Sequence, residues 1–340
     1  MLAAFITGLA GPELTRREAE VLAATRPCGV ILFARNVVDP EQLRRLTDTV
    51  RAAIGAGDIM LLIDQEGGRV QRLRPPNWRA LPPAAAYARA FAGDLDRASR
   101  AARLVAQLAA AELRAVGINT NCAPLLDVPA PGSHDVIGER AYARSPDAVA
   151  RIGVAVAEGL LAGGVLPVIK HLPGHGRATS DSHLELPVVT ATRDELEATD
   201  FLPFRALAAA PAGMTAHVVF AAYDAAAPAS TSRRVIEEAI RGAIGFSGLL
   251  MSDDLAMRAL SGSTTSRAQA VFAAGCDLAL ACSGTLTETE SVAAVAPPLA
   301  GAARARFEHA CAVFRQQQAF DTEQAEACLA QVSLAQPESV

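Results

Sequence analysis

Short apolar segments alternate with longer amphipathic segments along the whole chain. Four to eight consecutive apolar residues bounded by glycine, proline or polar residues are typical of buried strands, whereas apolar residues spaced three and four apart predict helices. Eight segments show the first pattern and are predicted as strands: residues 3–9, 29–34, 59–64, 117–124, 165–169, 213–219, 248–252 and 277–281. Helical patterns separate these segments, so strand and helix alternate throughout.

Capping residues mark the starts of several predicted helices. Thr15-x-x-Glu18 and Thr192-x-x-Glu195 form capping boxes, in which each side chain satisfies a free backbone N–H of the first turn. Asp39-Pro40 combines an N-cap with a first-turn proline. The other predicted helices lie at about 96–115 and 146–162, begin near 232 and 266, and fill the chain beyond 298.

Strands that alternate with helices predict a parallel sheet covered by helices on both faces. Eight such units fill the chain and predict an α/β fold, a (β/α)8 TIM-type barrel. We expect a single catalytic domain over 1–340, with a C-terminal helical extension after about 285. A doubly wound open sheet is the alternative. It is disfavoured because Gly8-x-x-Gly11, after the first strand, is too sparse for a dinucleotide-binding glycine loop.

Composition and charge exclude several classes of function. The net charge of −5 and the aromatic content of 4% do not support a nucleic-acid-binding surface. No run reaches the roughly 18 apolar residues of a membrane span. The apolar N-terminus is short and lacks a positively charged start, which favours a first strand over a signal peptide. Six cysteines without a C-x-x-C pair indicate buried thiols in a reducing compartment. We therefore expect a cytoplasmic protein.

Polar residues recur where the predicted strands end. Catalytic residues of (β/α)8 barrels lie at the carboxyl ends of the strands, on one rim of the barrel. A lone aspartate at such a place is usually a helix cap, but six polar strand ends in register favour a shared site. The residues concerned are Arg35-Asn36, Asp64 with Arg72, Asn121 with Asp127, Lys170-His171, His217 and Asp253-Asp254.

The pair Asp253-Asp254 follows the apolar seventh strand. Successive side chains of a strand point to opposite faces, so one aspartate is predicted to face the rim and the next to face away. Asp253 is then the candidate nucleophile or electrostatic stabiliser, and Asp254 a structural residue that caps or pairs behind the site.

Residues 170–183 carry three of the six histidines and leave three kinds of chemistry open. His171-x3-His175 resembles a helical zinc pair, but Pro173 and Gly174 break the helical spacing, so no metal site is expected. Lys170 could form a Schiff base if burial lowered its pKa, or it could bind substrate hydroxyls. Asp181-Ser182-His183 could be an imidazole oriented by a carboxylate for proton transfer, or a loop histidine satisfied by its neighbour.

Taken together, these motifs resemble those of bacterial, single-domain, cytoplasmic β-N-acetylhexosaminidases of glycoside hydrolase family 3. That type carries K-H-F-P-G-H-G followed by D-S-H, where this chain has 170–176, with Leu172 in place of phenylalanine, and 181–183. Phe220-Ala221 departs from the usual Tyr-Pro. Further matching segments are 29–36, 64–70, 123–128, 216–218, 228–230 and 245–255.

The resemblance implies a retaining, exo-acting enzyme that removes terminal β-linked N-acetylglucosamine through a covalent intermediate, without a cofactor. By matched position, Asp253 is the nucleophile and His183 the acid/base, oriented by Asp181. His175 receives no role. The expected sugar-binding residues are Asp64, Arg72, Arg140, Lys170 and His171.

The substrate that the resemblance implies is a small amino sugar or muropeptide, N-acetylglucosamine linked to anhydro-N-acetylmuramic acid peptides, in cell-wall recycling. Neither a nucleic-acid nor a membrane partner is expected, and the oligomeric state stays open. Two alternatives remain at this point: a Schiff-base barrel lyase acting through Lys170, and a non-catalytic barrel that binds amino sugars.

Overall fold

Eight parallel strands close into a barrel in the computed structural model, which describes residues 1–182 and 184–335. Each strand pairs with its neighbours in the sequence, and the last pairs with the first. The predicted (β/α)8 barrel is therefore confirmed. The strands are β1 (Ala3–Gly8), β2 (Pro27–Leu32), β3 (Met60–Ile63), β4 (Thr120–Asn121), β5 (Leu166–Leu172), β6 (Ala212–Thr215), β7 (Leu249–Asp254) and β8 (Leu278–Ala281).

Helices follow the strands and surround the barrel. Thr15 and Thr192 form the predicted capping boxes, and Asp39 caps the helix that Pro40 opens. The helix expected after Ser232 is a π-helix, Val235–Ala243. The α-helices are α1 (Arg16–Thr25), α2 (Pro40–Ile54), α3 (Ala85–Ala90), α4 (Leu95–Ala115), α5 (Pro146–Ala162), α6 (Arg193–Ala198), α7 (Leu202–Ala206), α8 (Thr264–Ala274), α9 (Leu286–Ala293), α10 (Gly301–Cys311) and α11 (Thr322–Ser333).

Some strand boundaries differ from the predicted ones. β5 was expected to end at residue 169 but continues to Leu172, because pairing with β6 extends as far as Leu172 opposite Thr215. Lys170 and His171 are therefore strand residues. β6 ends at Thr215, so His217 lies beyond it. Two small sheets outside the barrel were not predicted: Gln65–Gly67 with Val70–Gln71, and Val188–Val189 with Val219–Phe220 and Asp224–Pro228.

Alternate residues of each strand enter two different cores. In β3, Met60 and Leu62 pack inside the barrel, whereas Leu61 and Ile63 pack against the helices. The same alternation operates in β5, where Leu166 and Val168 face inwards, and in β7, where Leu249 and Met251 do. Continuing it by two residues brings Asp64, Lys170 and Asp253 to the inner side of the carboxyl rim. The fold thus gathers side chains that are far apart in the sequence.

Helices α9, α10 and α11 follow the last barrel strand. Arg79 bridges Glu112 of α4 and Glu326 of α11, which fixes the C-terminal helix against the barrel layer. The division into one catalytic domain with an extension after about 285 stays a prediction. No helix in the described part of the chain is both long enough and apolar enough to cross a membrane.

Candidate active site

A cavity of about 360 Å³ opens at the carboxyl end of the barrel strands. Its floor is the packed interior of the barrel, so a ligand can enter only from the rim side. Seven of the eight predicted site residues line it: Asp64, Arg72, Arg140, Lys170, His171, Asp181 and Asp253. The eighth, His183, lies outside the described residues.

One side of the cavity is a network of opposite charges, which we call the charged cluster: Asp64, Glu66, Arg72, Arg140 and Lys170. Lys170 Nζ lies 3.0 Å from Asp64 Oδ1 and 2.7 Å from Glu66 Oε1. Arg72 donates to Asp64 Oδ2 at 3.1 Å. Arg140 binds both oxygens of Glu66 at 2.8 Å, in the two-pronged geometry that suits a guanidinium.

The charged cluster fixes its own protonation states. Burial alone would lower the pKa of Lys170, but Asp64 and Glu66 raise it well above its usual value. Burial would likewise raise the pKa of Glu66, but Lys170 and Arg140 lower it far below the ordinary range. Lys170 therefore stays an ammonium at neutral pH. A Schiff base needs the free amine, so this environment disfavours the lyase alternative.

Asp127 organises the neighbouring side of the cavity. Its carboxylate is fully buried, and Oδ2 lies 2.7 Å from Nδ1 of His171. Oδ1 accepts the backbone N–H groups of His171, at 3.2 Å, and His175, at 2.6 Å. Burial would raise the pKa of Asp127, but His171 lowers it. An ionised carboxylate can only accept, so the Nδ1–H of His171 donates to it and Nε2 remains available to the cavity.

Asp253 lies at the carboxyl end of β7, on the wall beside His171. Its Oδ1 accepts the backbone N–H of Asp254 at 2.8 Å. Burial would raise the pKa of Asp253, but His217 and His171 lower it below its usual value. The carboxylate is consequently ionised at neutral pH, as a nucleophile must be.

Asp254 differs from its neighbour in both contacts and charge. Its Oδ1 accepts backbone N–H groups from Ala256 and Cys282, both at 3.0 Å, and so ties the end of β7 to the end of β8. Burial raises its pKa to about 6. These contacts fit the structural role expected of Asp254. The residue nevertheless lines the cavity together with Asp253, so the expectation that it faces away from the rim is wrong; the register of β7 against β8 is irregular between Met251 and Asp254.

The buried His217 supports the same strand end. Its Nε2–H donates to the carbonyl oxygen of Asp254 at 2.9 Å. Burial lowers its pKa, although Asp253 opposes this, so the ring is neutral, and its Nδ1 lies 2.6 Å from Ser230 Oγ. His217 therefore holds the backbone of the strand that carries Asp253.

Sequence reasoning assigned no role to two residues that hold the site together, Glu66 and Asp127. Glu66 stands two positions after Asp64, and the period-two rule used for Asp253 could have indicated it. Asp127 was placed among the polar strand ends, but its role could not be assigned from the sequence, because its partners lie more than forty residues away. Among residues 1–182 and 184–335, no cluster of three or more histidine, cysteine, aspartate or glutamate side chains is arranged to hold a metal ion.

Comparisons with known proteins agree on one family. A sequence model described as "Glycosyl hydrolase family 3 N terminal domain" matches residues 4–312. The chain is 41% identical over 286 residues to a beta-hexosaminidase of Alkalilimnicola ehrlichii, covering 83% of this chain and 81% of that protein. A beta-hexosaminidase of Chromobacterium violaceum is 40% identical over 294 residues, covering 85% and 81%.

A solved structure gives the same answer for the fold. NagZ from Neisseria gonorrhoeae, in complex with N-trifluoroacetyl-D-glucosamine, is similar with a TM-score of 0.86 and 33% identity. The match covers 98% of this chain and 98% of that one.

Proposed function

The chain belongs to glycosyl hydrolase family 3, and from this premise we propose that it is a retaining, exo-acting β-N-acetylglucosaminidase. It removes terminal, non-reducing β-linked N-acetylglucosamine. The observation that carries the proposal is the convergence of Asp253 and the charged cluster on one cavity. Relatives named beta-hexosaminidase, about 40% identical, support the amino-sugar class, as does the glucosamine derivative in the NagZ complex.

In the proposed reaction, hydrolysis takes two displacements at the anomeric carbon. The Asp253 carboxylate attacks C1 while the C1–O bond breaks and His183 gives its proton to the leaving oxygen. Water then attacks C1, passes a proton to His183 and releases both the sugar and Asp253. Two inversions give net retention, and water is the only co-reactant. The carboxylate of Asp181 orients the imidazole of His183 for these proton transfers.

The sugar is held by Asp64, Arg72, Arg140, Lys170 and His171. Carboxylates accept hydrogen bonds from sugar hydroxyls, and the lysine and arginines donate to hydroxyl and carbonyl oxygens. The closed floor of the cavity supports exo action, because a sugar that enters from the rim must do so by its free end.

The finer substrate that we propose is a muropeptide fragment, N-acetylglucosamine linked to anhydro-N-acetylmuramic acid peptides, cleaved in the cytoplasm during cell-wall recycling. Its support is the motif pattern of residues 170–183. All six cysteines are free, which suits a reducing compartment.

The test compares p-nitrophenyl β-glycosides of N-acetylglucosamine, N-acetylgalactosamine and glucose, and follows the anomer released first by NMR. We expect the fastest release from the N-acetylglucosaminide, with the β-anomer formed first. An α-anomer would overturn retention. Binding of N-acetylglucosamine without turnover of any glycoside would instead establish a sugar-binding barrel. Trapping of Lys170 by borohydride with a carbonyl compound would establish the lyase.

A further inference from the structure

The segment that follows β5 is anchored at its start. The backbone N–H of His175 donates to Asp127 Oδ1 at 2.6 Å, and Gly176 O accepts from Ala130 N at 3.0 Å. A Cβ on Gly176 would lie 2.0 Å from Val128 O, so only glycine permits this close approach. Ala178 O accepts from His134 N at 2.8 Å. The chain is thus fixed to residues 127–134 as far as Ala178.

Beyond Ala178 the segment runs near the surface, with one exception. Leu184 is 65% exposed and Leu186 is 38% exposed, whereas Ser182 is only 3% exposed. Among the described residues between 179 and 186, Ser182 alone is buried. Its Oγ lies 2.9 Å from Nε2 of His175. This hydrogen bond joins the outer part of the segment to its anchored start.

The environment of His175 indicates that the main role of its side chain is the hydrogen bond to Ser182. The ring is buried, and its Nδ1 has no hydrogen-bond partner among the described residues. Burial and the nearby His171 lower its pKa to about 4, so the ring is neutral at physiological pH. An unpaired buried lone pair is tolerated more readily than an unpaired N–H, which places the proton on Nε2, where it donates to Ser182.

Burying a polar ring with one unsatisfied nitrogen is unfavourable, and an apolar side chain of similar size would fill the same space without that cost. The ring packs edge-on against His171, with centroids 5.7 Å apart, so it is held by the same Asp127-centred structure that fixes the sugar-binding wall. His175 therefore links Ser182 directly to the wall formed by His171 and Asp127.

We propose that His175 is a positioning residue for proton transfer, holding the Asp181–His183 pair in register with Asp253 through the Ser182 hydroxyl. The inference rests on the proposed function and deepens it. Ser182 lies between the two residues in the sequence, so fixing it limits where both can move. Loss of the contact misplaces the acid/base without altering the nucleophile or the charged cluster.

The test uses two aryl β-N-acetylglucosaminides that differ in leaving group. A p-nitrophenolate leaves with little protonation, whereas phenol needs the acid. We expect Ser182→Ala to lower kcat/KM about 10- to 100-fold on the phenyl glycoside, because small misplacements of a catalytic group are costly. On the p-nitrophenyl glycoside we expect a loss below about threefold. Ser180→Ala, two residues earlier, is the matched control and should leave both rates unchanged.

Further variants assign the effect to the His175–Ser182 contact. Ser182→Thr keeps the hydroxyl and His175→Gln keeps a donor near the Nε2 position, so both should approach wild-type rates on the phenyl glycoside. His175→Phe fills the space without a donor and should behave like Ser182→Ala. The double variant Ser182→Ala/His175→Phe should be no worse than either single variant, because the two changes remove one interaction.

Equal losses on both glycosides, or wild-type rates for Ser182→Ala on the phenyl glycoside, would overturn the proposal while the wild-type activity upholds the proposed function. A wild type inactive on both glycosides would sink the function and, with it, the role in proton transfer. Hydrogen exchange of residues 179–190 is read in parallel. Faster exchange in Ser182→Ala than in Ser180→Ala is expected, and equal exchange counts against the contact as an anchor.

Discussion

The two sides of the cavity hold their charges in different ways. In the charged cluster, each carboxylate meets a lysine or an arginine at 2.7–3.1 Å. On the other side, Asp127 and Asp253 are held by backbone N–H groups and by nearby histidines. Ion pairs of the first kind lock the protonation of both partners across neutral pH. Under the proposed function, the charged cluster serves sugar binding, whereas the histidine side carries the nucleophile Asp253 together with the binding residue His171.

The charged cluster carries three positive and two negative side chains, so one positive charge is left over. Its remaining N–H groups are therefore available to oxygen atoms of a neutral sugar. On the histidine side, Asp253 is kept ionised beside the neutral ring of His217. Substitutions on the two sides should consequently have different effects. Those in the charged cluster should lower stability and substrate affinity, whereas those on the histidine side should lower turnover.

The largest expected effect is on the histidine side. Asp253→Asn keeps the size of the side chain but cannot form the covalent intermediate, so we expect kcat to fall by at least about 10³-fold. The measurement is steady-state hydrolysis of p-nitrophenyl N-acetyl-β-glucosaminide. Asp254→Asn is the neighbouring control and should lose far less. A tenfold or smaller loss of kcat for Asp253→Asn would contradict the assignment of Asp253 as the nucleophile.

The next effect belongs to the charged cluster. Lys170→Met leaves Asp64 and Glu66 without their shared ammonium, and removing one partner from buried ion pairs costs about 3–5 kcal/mol of the free energy of unfolding. The more exposed pair of Arg205 and Glu197, at 2.8 Å, supplies the control. Arg205→Ala should cost less than about 1 kcal/mol. Denaturant unfolding measures both, and equal stabilities would show that the charged cluster is not energetically coupled.

The smallest effect tests the border between the two sides, at Asp254. Its pKa in the folded state is about 6, above the ordinary 3.8, so the charged form is disfavoured by folding. The stability contributed by the protonated form is present below pH 4 and is lost as the pH rises to 6. Asp254→Asn cannot ionise but keeps an oxygen for Ala256 and Cys282.

Unfolding by urea at pH 4 and pH 7 measures the consequence for Asp254→Asn. One pKa unit corresponds to about 1.4 kcal/mol, so the stability of the variant relative to wild type should improve by at least about 1 kcal/mol from pH 4 to pH 7. An unchanged difference would contradict the raised pKa.

The sequence was sufficient for features that depend on neighbouring residues. The capping boxes at Thr15 and Thr192 use contacts within four residues of the cap. The sequence was insufficient for contacts and strand ends that depend on pairing with distant parts of the chain. Glu66 meets Arg140 across 74 positions. β5 continues to Leu172 because Thr215 of β6 lies opposite Leu172 and because the backbone of Lys170 bonds to Pro124 and Leu126. A pattern along one strand cannot give the register of its neighbour.

The pairing of β1 with β8 also constrains how this chain becomes a barrel. Phe5 lies opposite Ala279, so β1 can pair with β8 only after a further 274 residues have been synthesised. At about 5–20 residues per second, synthesis of that interval takes about 14–55 s. During this time one edge of β1 has no barrel partner and remains open to wrong pairing. Closure of the barrel is therefore a late event in the biosynthesis of the protein, and any factor that shields a nascent strand edge would act in this interval.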